Sequence, residues 1–145
     1  MYKLELYRQM FNALKMGRNA SGQKSNAKPI FILSLIDFVP FSKQNLFEVS
    51  NHLLLEYYNQ NFMFYDKPNY TQMIYPFFHM HREPFYSICW KNDNNIPKIK
   101  HSPSAKFLRE HTYGAQLDAE LWELLQEEEN RAYLRQCIIN TYLTK

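Results

Sequence analysis

The chain has 145 residues, of which 46% are hydrophobic and 17% aromatic, which is enough for one domain with a real core and excludes a linker or a disordered tail. No run reaches the roughly 18 to 20 apolar residues of a membrane span, and the N-terminus does not resemble a secretory signal, so we expect a cytoplasmic protein. The formal net charge of +3 divides into +7 over residues 1–109 and −4 over residues 110–145, which favours a basic face for a polyanion, although an ordinary solvated surface stays open.

The first predicted elements are two helices joined by a basic loop. Apolar residues at helical spacing predict an amphipathic helix over residues 2–16, and the loop over residues 17–26 carries Arg18 and Lys24. A second helix begins at Pro29, is apolar almost all round and therefore belongs to the core. Lys28 precedes it, where free N–H groups, the helix dipole and a full charge converge, and this arrangement indicates a phosphate site.

The middle of the chain predicts a mixture of strand and helix. Residues 46–49 form a candidate short strand, and Ser50 is a candidate N-cap for a helix to about residue 61. A polar loop over 65–72 leads to two aromatic runs, 74–80 and 85–90, which predict a β-hairpin with a basic tip. Residues 91–101 follow as a second basic loop, with Lys98 and Lys100.

Helices dominate the last third. We expect one to begin at Ser102 and Pro103, a second to be capped by Asp118 and run to about residue 126, and a third to cover residues 129–143. The fold class is therefore α+β: a mostly helical single domain over residues 1–145 with a small antiparallel sheet or hairpin.

Catalytic and metal chemistry find little support in the sequence. His79 and His81 would share a face of the predicted strand as paired ligands, but no third ligand lies nearby, and Cys89 and Cys137 lack zinc spacing, so they are expected to be free core thiols. The chain has neither a Gly-x-Ser-x-Gly elbow nor a phosphate-cradling glycine loop. We therefore expect no enzyme, no metal and no cofactor.

Nucleic-acid binding is better supported, because cations are interleaved with aromatic residues. Phosphates need cations for affinity, and aromatic or proline faces offer apolar contacts. Burial in the core explains Phe77 and Phe78 without any ligand. Burial does not easily explain Lys28 at a helix start or Arg82 at the predicted hairpin tip.

The order of these motifs resembles a known family. A Gly/Ser/Lys loop, a small-residue-x-Lys-Pro step with an aliphatic run ending in Ile-Asp, a Pro-Phe-aromatic-His segment and a Leu-Asp-x-Glu-Leu-aromatic-x-Leu-Leu-Gln helix follow one another. Together they resemble the sulfur-binding domain that forms the N-terminal part of HNH-type, modification-dependent restriction endonucleases. The resemblance covers nearly all of residues 1–145.

The resemblance implies recognition of phosphorothioate-modified double-stranded DNA, in which sulfur replaces a non-bridging phosphate oxygen. A small apolar pocket would take the sulfur and basic residues would hold the backbone. Carried over by motif, the DNA- and sulfur-binding residues are Ala27, Lys28, Tyr75, Pro76 and His79, and Arg82 joins them as the cation at the predicted hairpin tip. Further candidates for backbone contacts are Arg18, Lys24, His81, Lys98 and Lys100.

The chain departs from the family at two points. The family usually has a histidine where this chain has Ala27, and no HNH nuclease segment follows before Lys145, so we expect binding without cleavage. A nuclease or other effector and a second copy of the chain are candidate partners. Two alternatives stay open: a winged-helix-like regulator that reads DNA with the helix after Ser50, and a protein-interaction domain that docks through its acidic C-terminal helices.

Overall fold

The structure, a computed structural model, describes residues 2–19, 21–92 and 102–144. Its α-helices are α1 (Tyr2–Phe11), α2 (Ala27–Phe38), α3 (His52–Asp66), α4 (Ile74–His79), α5 (Ala105–His111), α6 (Ala119–Leu124) and α7 (Glu128–Ile138). Its strands are β1 (Tyr86–Trp90) and β2 (Thr112–Leu117). Short 3-10 turns cover Val39–Phe41, Lys67–Asn69 and Met80–Arg82, and a π-helical turn covers Ile139–Leu143. The predicted α+β class is confirmed.

Helix α2 lies at the centre of the core. Every residue from Ala27 to Phe38 is buried except Asp37, as expected for a helix without a polar face. Asp37 forms an ion pair with Arg135 of α7 at 2.7 Å and accepts a hydrogen bond from Asn61 of α3 at 3.1 Å. The predicted burial of this helix is confirmed, and the one carboxylate on it joins α2 to its two neighbours.

The sheet consists of β1 paired antiparallel with β2, with Tyr86 opposite Leu117. The predicted strand over residues 46–49 contributes only one bridge, between Phe47 and Ala115. Gly114 makes that bridge possible: its φ is +138°, and a Cβ atom there would lie 2.6 Å from the Phe47 carbonyl oxygen. Backbone approach, rather than a third strand, therefore anchors this segment to the sheet.

The predicted hairpin over residues 74–90 is wrong. Its first arm is α4, and its second arm, β1, pairs with β2 instead. Pro76 fits the first turn of α4, where an N–H would have no partner within the helix. A short aromatic run carries no period that separates strand from buried helix, and here burial of Phe77 and Phe78 selects the helix.

Several boundaries also differ from the predictions. The cap of α3 is Asn51, whose side chain accepts from the Leu54 amide at 3.0 Å, and not Ser50. This helix continues to Asp66, into the predicted loop, while β2 occupies a segment for which no strand was predicted. Cys89 and Cys137 are free thiols but only half-buried. None of the described helices is long and apolar enough to cross a membrane.

Candidate nucleic-acid interface

A pocket of about 760 Å³ opens between the N-terminus of α2 and helix α4. We call it the α2–α4 pocket. Two connecting segments complete its walls, the one after α1 and the one between α3 and α4. The lining residues are Lys15, Met16, Gly17, Arg18, Asn19, Ser25, Ala27, Lys28, Pro68, Asn69, Tyr70, Thr71, Tyr75, Pro76, His79 and Arg82.

All six residues predicted to bind DNA or sulfur line this pocket: Ala27, Lys28, Tyr75, Pro76, His79 and Arg82. Of the further candidates, Arg18 also lines it, whereas Lys24 and His81 do not. Lys98 and Lys100 lie outside the described residues. Two segments nearly fifty positions apart in the chain therefore meet at one cavity.

The apolar part of the wall comes from the first turns of α2 and α4. Ala27 is 7% exposed and Pro76 is buried, while the Tyr75 ring remains 45% exposed at the pocket. The Ala27 amide donates to the Ser25 hydroxyl at 3.1 Å, so one of the free N–H groups at the start of α2 is already satisfied. The wall therefore presents carbon surface from a methyl group, a proline ring and a tyrosine ring.

The sequence indicated a Lys28 charge that is free to face a phosphate at the start of the helix. The structure shows a different arrangement. Lys28 is only 8% exposed, and its Nζ lies 2.9 Å from Glu83 Oε2. The same ammonium donates to the Lys15 carbonyl oxygen at 2.7 Å, and the Lys15 amide donates to Glu83 Oε2 at 3.0 Å. The ammonium that was predicted to face a phosphate is thus ion-paired with Glu83 inside the protein, and we call the two residues the Lys28–Glu83 pair.

Three exposed cations line the pocket, and we call them its rim: Lys15, Arg18 and Arg82. The Arg18 guanidinium donates to the Gly22 carbonyl at 3.1 Å across a tight turn, which fixes its base near the pocket. Because these charges stay hydrated and accessible, they can approach the phosphates of a polyanion without a large desolvation cost.

His79 also lines the pocket. Its Nε2 lies 2.6 Å from the Ser102 hydroxyl, which ties α4 to the segment that precedes α5. Burial lowers the pKa of His79 below its usual 6.5, and the positive charges of Arg82, His81 and Lys28 lower it further. The neutral form of the ring is therefore favoured near pH 7.

Sequence reasoning missed several residues of the site. The segment Pro68–Thr71 had been assigned only to a loop, and Lys15 to the end of a helix. Glu83 had appeared only as part of a hairpin tip. A Lys-Pro-Asn turn signal was visible over residues 67–69, but no local pattern shows that this turn lies opposite α2. Among the residues that the structure describes, no group of three or more His, Cys, Asp or Glu could hold a metal ion.

No protein-family model matches the sequence, and no curated protein matches it. Solved structures do match. The sulfur-binding domain of ScoMcrA, complexed with phosphorothioated DNA, superposes with a TM-score of 0.66 at 16% identity and covers 94% of this chain and 86% of its own. The chain has the sulfur-binding-domain fold.

Two further structures share this fold. The sulfur-binding domain of SprMcrA, also complexed with phosphorothioated DNA, gives a TM-score of 0.62 at 16% identity and covers 97% of this chain and 86% of its own. A larger ScoMcrA structure, with its sulfur-binding and SRA domains on phosphorothioated DNA, gives a TM-score of 0.69 at 16% identity and 94% coverage of this chain. The present chain spans only 42% of that larger one. The sulfur-binding-domain fold is thus found in DNA-recognition modules, alone or beside another domain.

Proposed function

We propose that this chain is a DNA-binding module that recognises phosphorothioate-modified double-stranded DNA through the α2–α4 pocket. One observation carries the proposal: the Ala27–Lys28 and Tyr75–Pro76 pairs, which the family resemblance singled out, line the same cavity, and cations surround it. The fold neighbours that are themselves bound to phosphorothioated DNA support it.

The carbon wall supplies a reason to prefer sulfur. Sulfur is larger, more polarizable and less well hydrated than oxygen, so contact with Ala27, Tyr75 and Pro76 favours it through burial and dispersion. Burying about 40 Å² of such a surface at about 25 cal/mol per Å² contributes about 1 kcal/mol, or about fivefold in affinity. Additional dispersion contacts would raise that preference.

The rim supplies affinity without regard to the modification. Lys15, Arg18 and Arg82 line the pocket and are exposed, and we assign to them the contacts with the phosphates that flank the modified linkage. Each such contact adds about 0.9 to the slope of log affinity against log salt. Two functions are thereby separated in the pocket, with selection by the apolar wall and general DNA affinity by the rim.

We assign the chain a binding role without cleavage, as one domain over residues 1–145. A nuclease or other effector, on another chain or elsewhere in a longer one, is a candidate partner, and so is a second copy of the chain. We also propose that the chain acts in the cytoplasm. A winged-helix regulator would need the predicted hairpin as its wing, and residues 74–82 are helical instead. The protein-interaction alternative predicts indifference to DNA even at low salt.

The deciding experiment is a titration with matched duplexes that differ only in one phosphorothioate. We expect tighter binding of the modified duplex, and Tyr75→Ala should reduce this preference because it removes part of the wall. Tyr113→Ala is the matched control, since Tyr113 is 57% exposed on β2 and does not line the pocket. Equal affinity of the unaltered protein for both duplexes would refute the proposal.

A further inference from the structure

We propose that Glu83 sets the selectivity of the α2–α4 pocket by withholding the positive charge of Lys28 from an ordinary phosphate oxygen. Glu83 is then a positioning and specificity-determining residue that touches no DNA. This inference rests on the proposed function and names the device that would keep the pocket from accepting unmodified backbone.

Three hydrogen bonds join Glu83, Lys28 and Lys15. One carboxylate oxygen, Oε2, receives both the Lys28 ammonium at 2.9 Å and the Lys15 amide at 3.0 Å, while Lys28 also donates to the Lys15 carbonyl at 2.7 Å. The Glu83 residue is 3% exposed and does not line the pocket, whereas Lys28 does. The negative charge is thus buried outside the pocket lining and is paired with a cation that belongs to the lining.

Chain geometry separates the roles of two adjacent residues. Arg82 ends the 3-10 turn after α4, is exposed and lines the pocket. Glu83, with extended backbone, turns inward and is buried. Arg82 can therefore offer its charge to a ligand, whereas Glu83 opposes the charge of Lys28.

The physical consequence differs for oxygen and sulfur. A non-bridging oxygen is strongly hydrated, so entering an apolar pocket costs free energy unless a charge or a hydrogen-bond donor compensates for the lost water. A bare Lys28 ammonium would provide that compensation, and Glu83 largely cancels it. Sulfur loses less hydration and gains more from the carbon wall, so it depends less on the missing charge.

The first test is Glu83→Gln, which keeps an acceptor for Lys15 and Lys28 but removes the negative charge. One newly effective phosphate contact, with a slope of about 0.9, should raise affinity for unmodified DNA about eightfold at 0.1 M salt. The affinity for modified DNA should rise less, so the ratio of the two affinities should fall, by up to about eightfold if modified DNA gains nothing. Glu129→Gln, an exposed position on α7, is the control for a unit change in net charge and should leave the ratio unchanged.

A second variant keeps the inference testable if the first folds poorly. The double substitution Lys28→Met with Glu83→Gln removes both charges, so it should bind unmodified DNA without the roughly eightfold gain expected of Glu83→Gln alone. A salt slope smaller than that of the unaltered protein by about 0.9 would show that Lys28 itself contacts phosphate at full charge and would overturn the inference.

A folded Glu83→Gln protein with an unchanged ratio would also overturn it, as would equal losses of affinity for both duplexes, which indicate a purely structural role. A failure of the proposed function is distinguishable from these results. In that case the unaltered protein already shows no preference for the modified duplex.

Discussion

Truncation of Lys28 should lower the free energy of unfolding strongly, because it leaves the buried Glu83 carboxylate without its counter-charge. At the 2.9 Å separation of the Lys28–Glu83 pair, Coulomb attraction at an effective dielectric constant of 20 is about 6 kcal/mol. Removing both charges from water costs several kcal/mol per ion, so the intact pair contributes little net stability. A lone Glu83 carboxylate, 3% exposed, has the cost without the attraction.

Lys28→Met should therefore lower the free energy of unfolding by about 3–5 kcal/mol. We favour the lower end, because the Lys15 amide still donates to Glu83 Oε2 at 3.0 Å. For a chain of this size the loss corresponds to a decrease in Tm of roughly 6–20 °C. Calorimetry or circular dichroism on the purified variant measures it directly.

The double substitution Lys28→Met with Glu83→Gln provides the matched control. It retains an acceptor for the Lys15 amide and leaves no buried charge, so we expect it to recover at least about 2 kcal/mol relative to Lys28→Met alone. Because the pair is buried, this coupling should persist in 1 M salt, where exposed ion pairs are screened. A Tm for Lys28→Met within about 2 °C of the unaltered protein would refute the reasoning.

Three further outcomes follow from the structure. Arg82→Gln should reduce the salt slope of DNA binding by about 0.9 without changing Tm, whereas exposed Lys43→Gln, outside the pocket, should change neither; titrations at several salt concentrations compare them. The lowered pKa of His79 means that this group binds a proton more readily in the unfolded chain than in the folded protein. His79 should therefore reduce stability as the pH falls below about 6.5, and its protonation should strengthen DNA binding over the same range. A difference between the unaltered protein and His79→Gln that does not depend on pH in either measurement would contradict this. Gly114→Ala should cost about 1–3 kcal/mol, because φ is +138° and the new Cβ would lie 2.6 Å from the Phe47 carbonyl oxygen; a melting curve like that of the unaltered protein would count against it.

The fate of the aromatic segment around Pro76 illustrates where sequence reasoning failed. Residues 74–80 were predicted as a strand because they are aromatic and short, but nothing local records whether such a run pairs with a neighbour or buries its rings as a helix. The partner that β1 actually uses, β2, lies more than twenty positions further along the chain. Strand pairing at that separation depends on the whole fold, so local pattern assigned the wrong partner.

Some features were legible from the chain alone. An unbroken apolar helix opening at Lys-Pro could only be buried, and the order of the motifs was enough to indicate the sulfur-binding-domain fold, which the solved neighbours share. Five of the residues later found around one pocket were also selected by motif: Ala27, Lys28, Tyr75, Pro76 and His79. Period and order are local properties, which is why the sequence displays them.

Tertiary structure decided the electrostatics of the site. That Lys28 is paired with Glu83, fifty-five positions away, and that Arg82 lines the cavity as an exposed cation, appears in no local pattern. A side chain's charge is written in the sequence, but its effective field depends on which counter-charge the fold brings within hydrogen-bonding distance and on how much water remains between them.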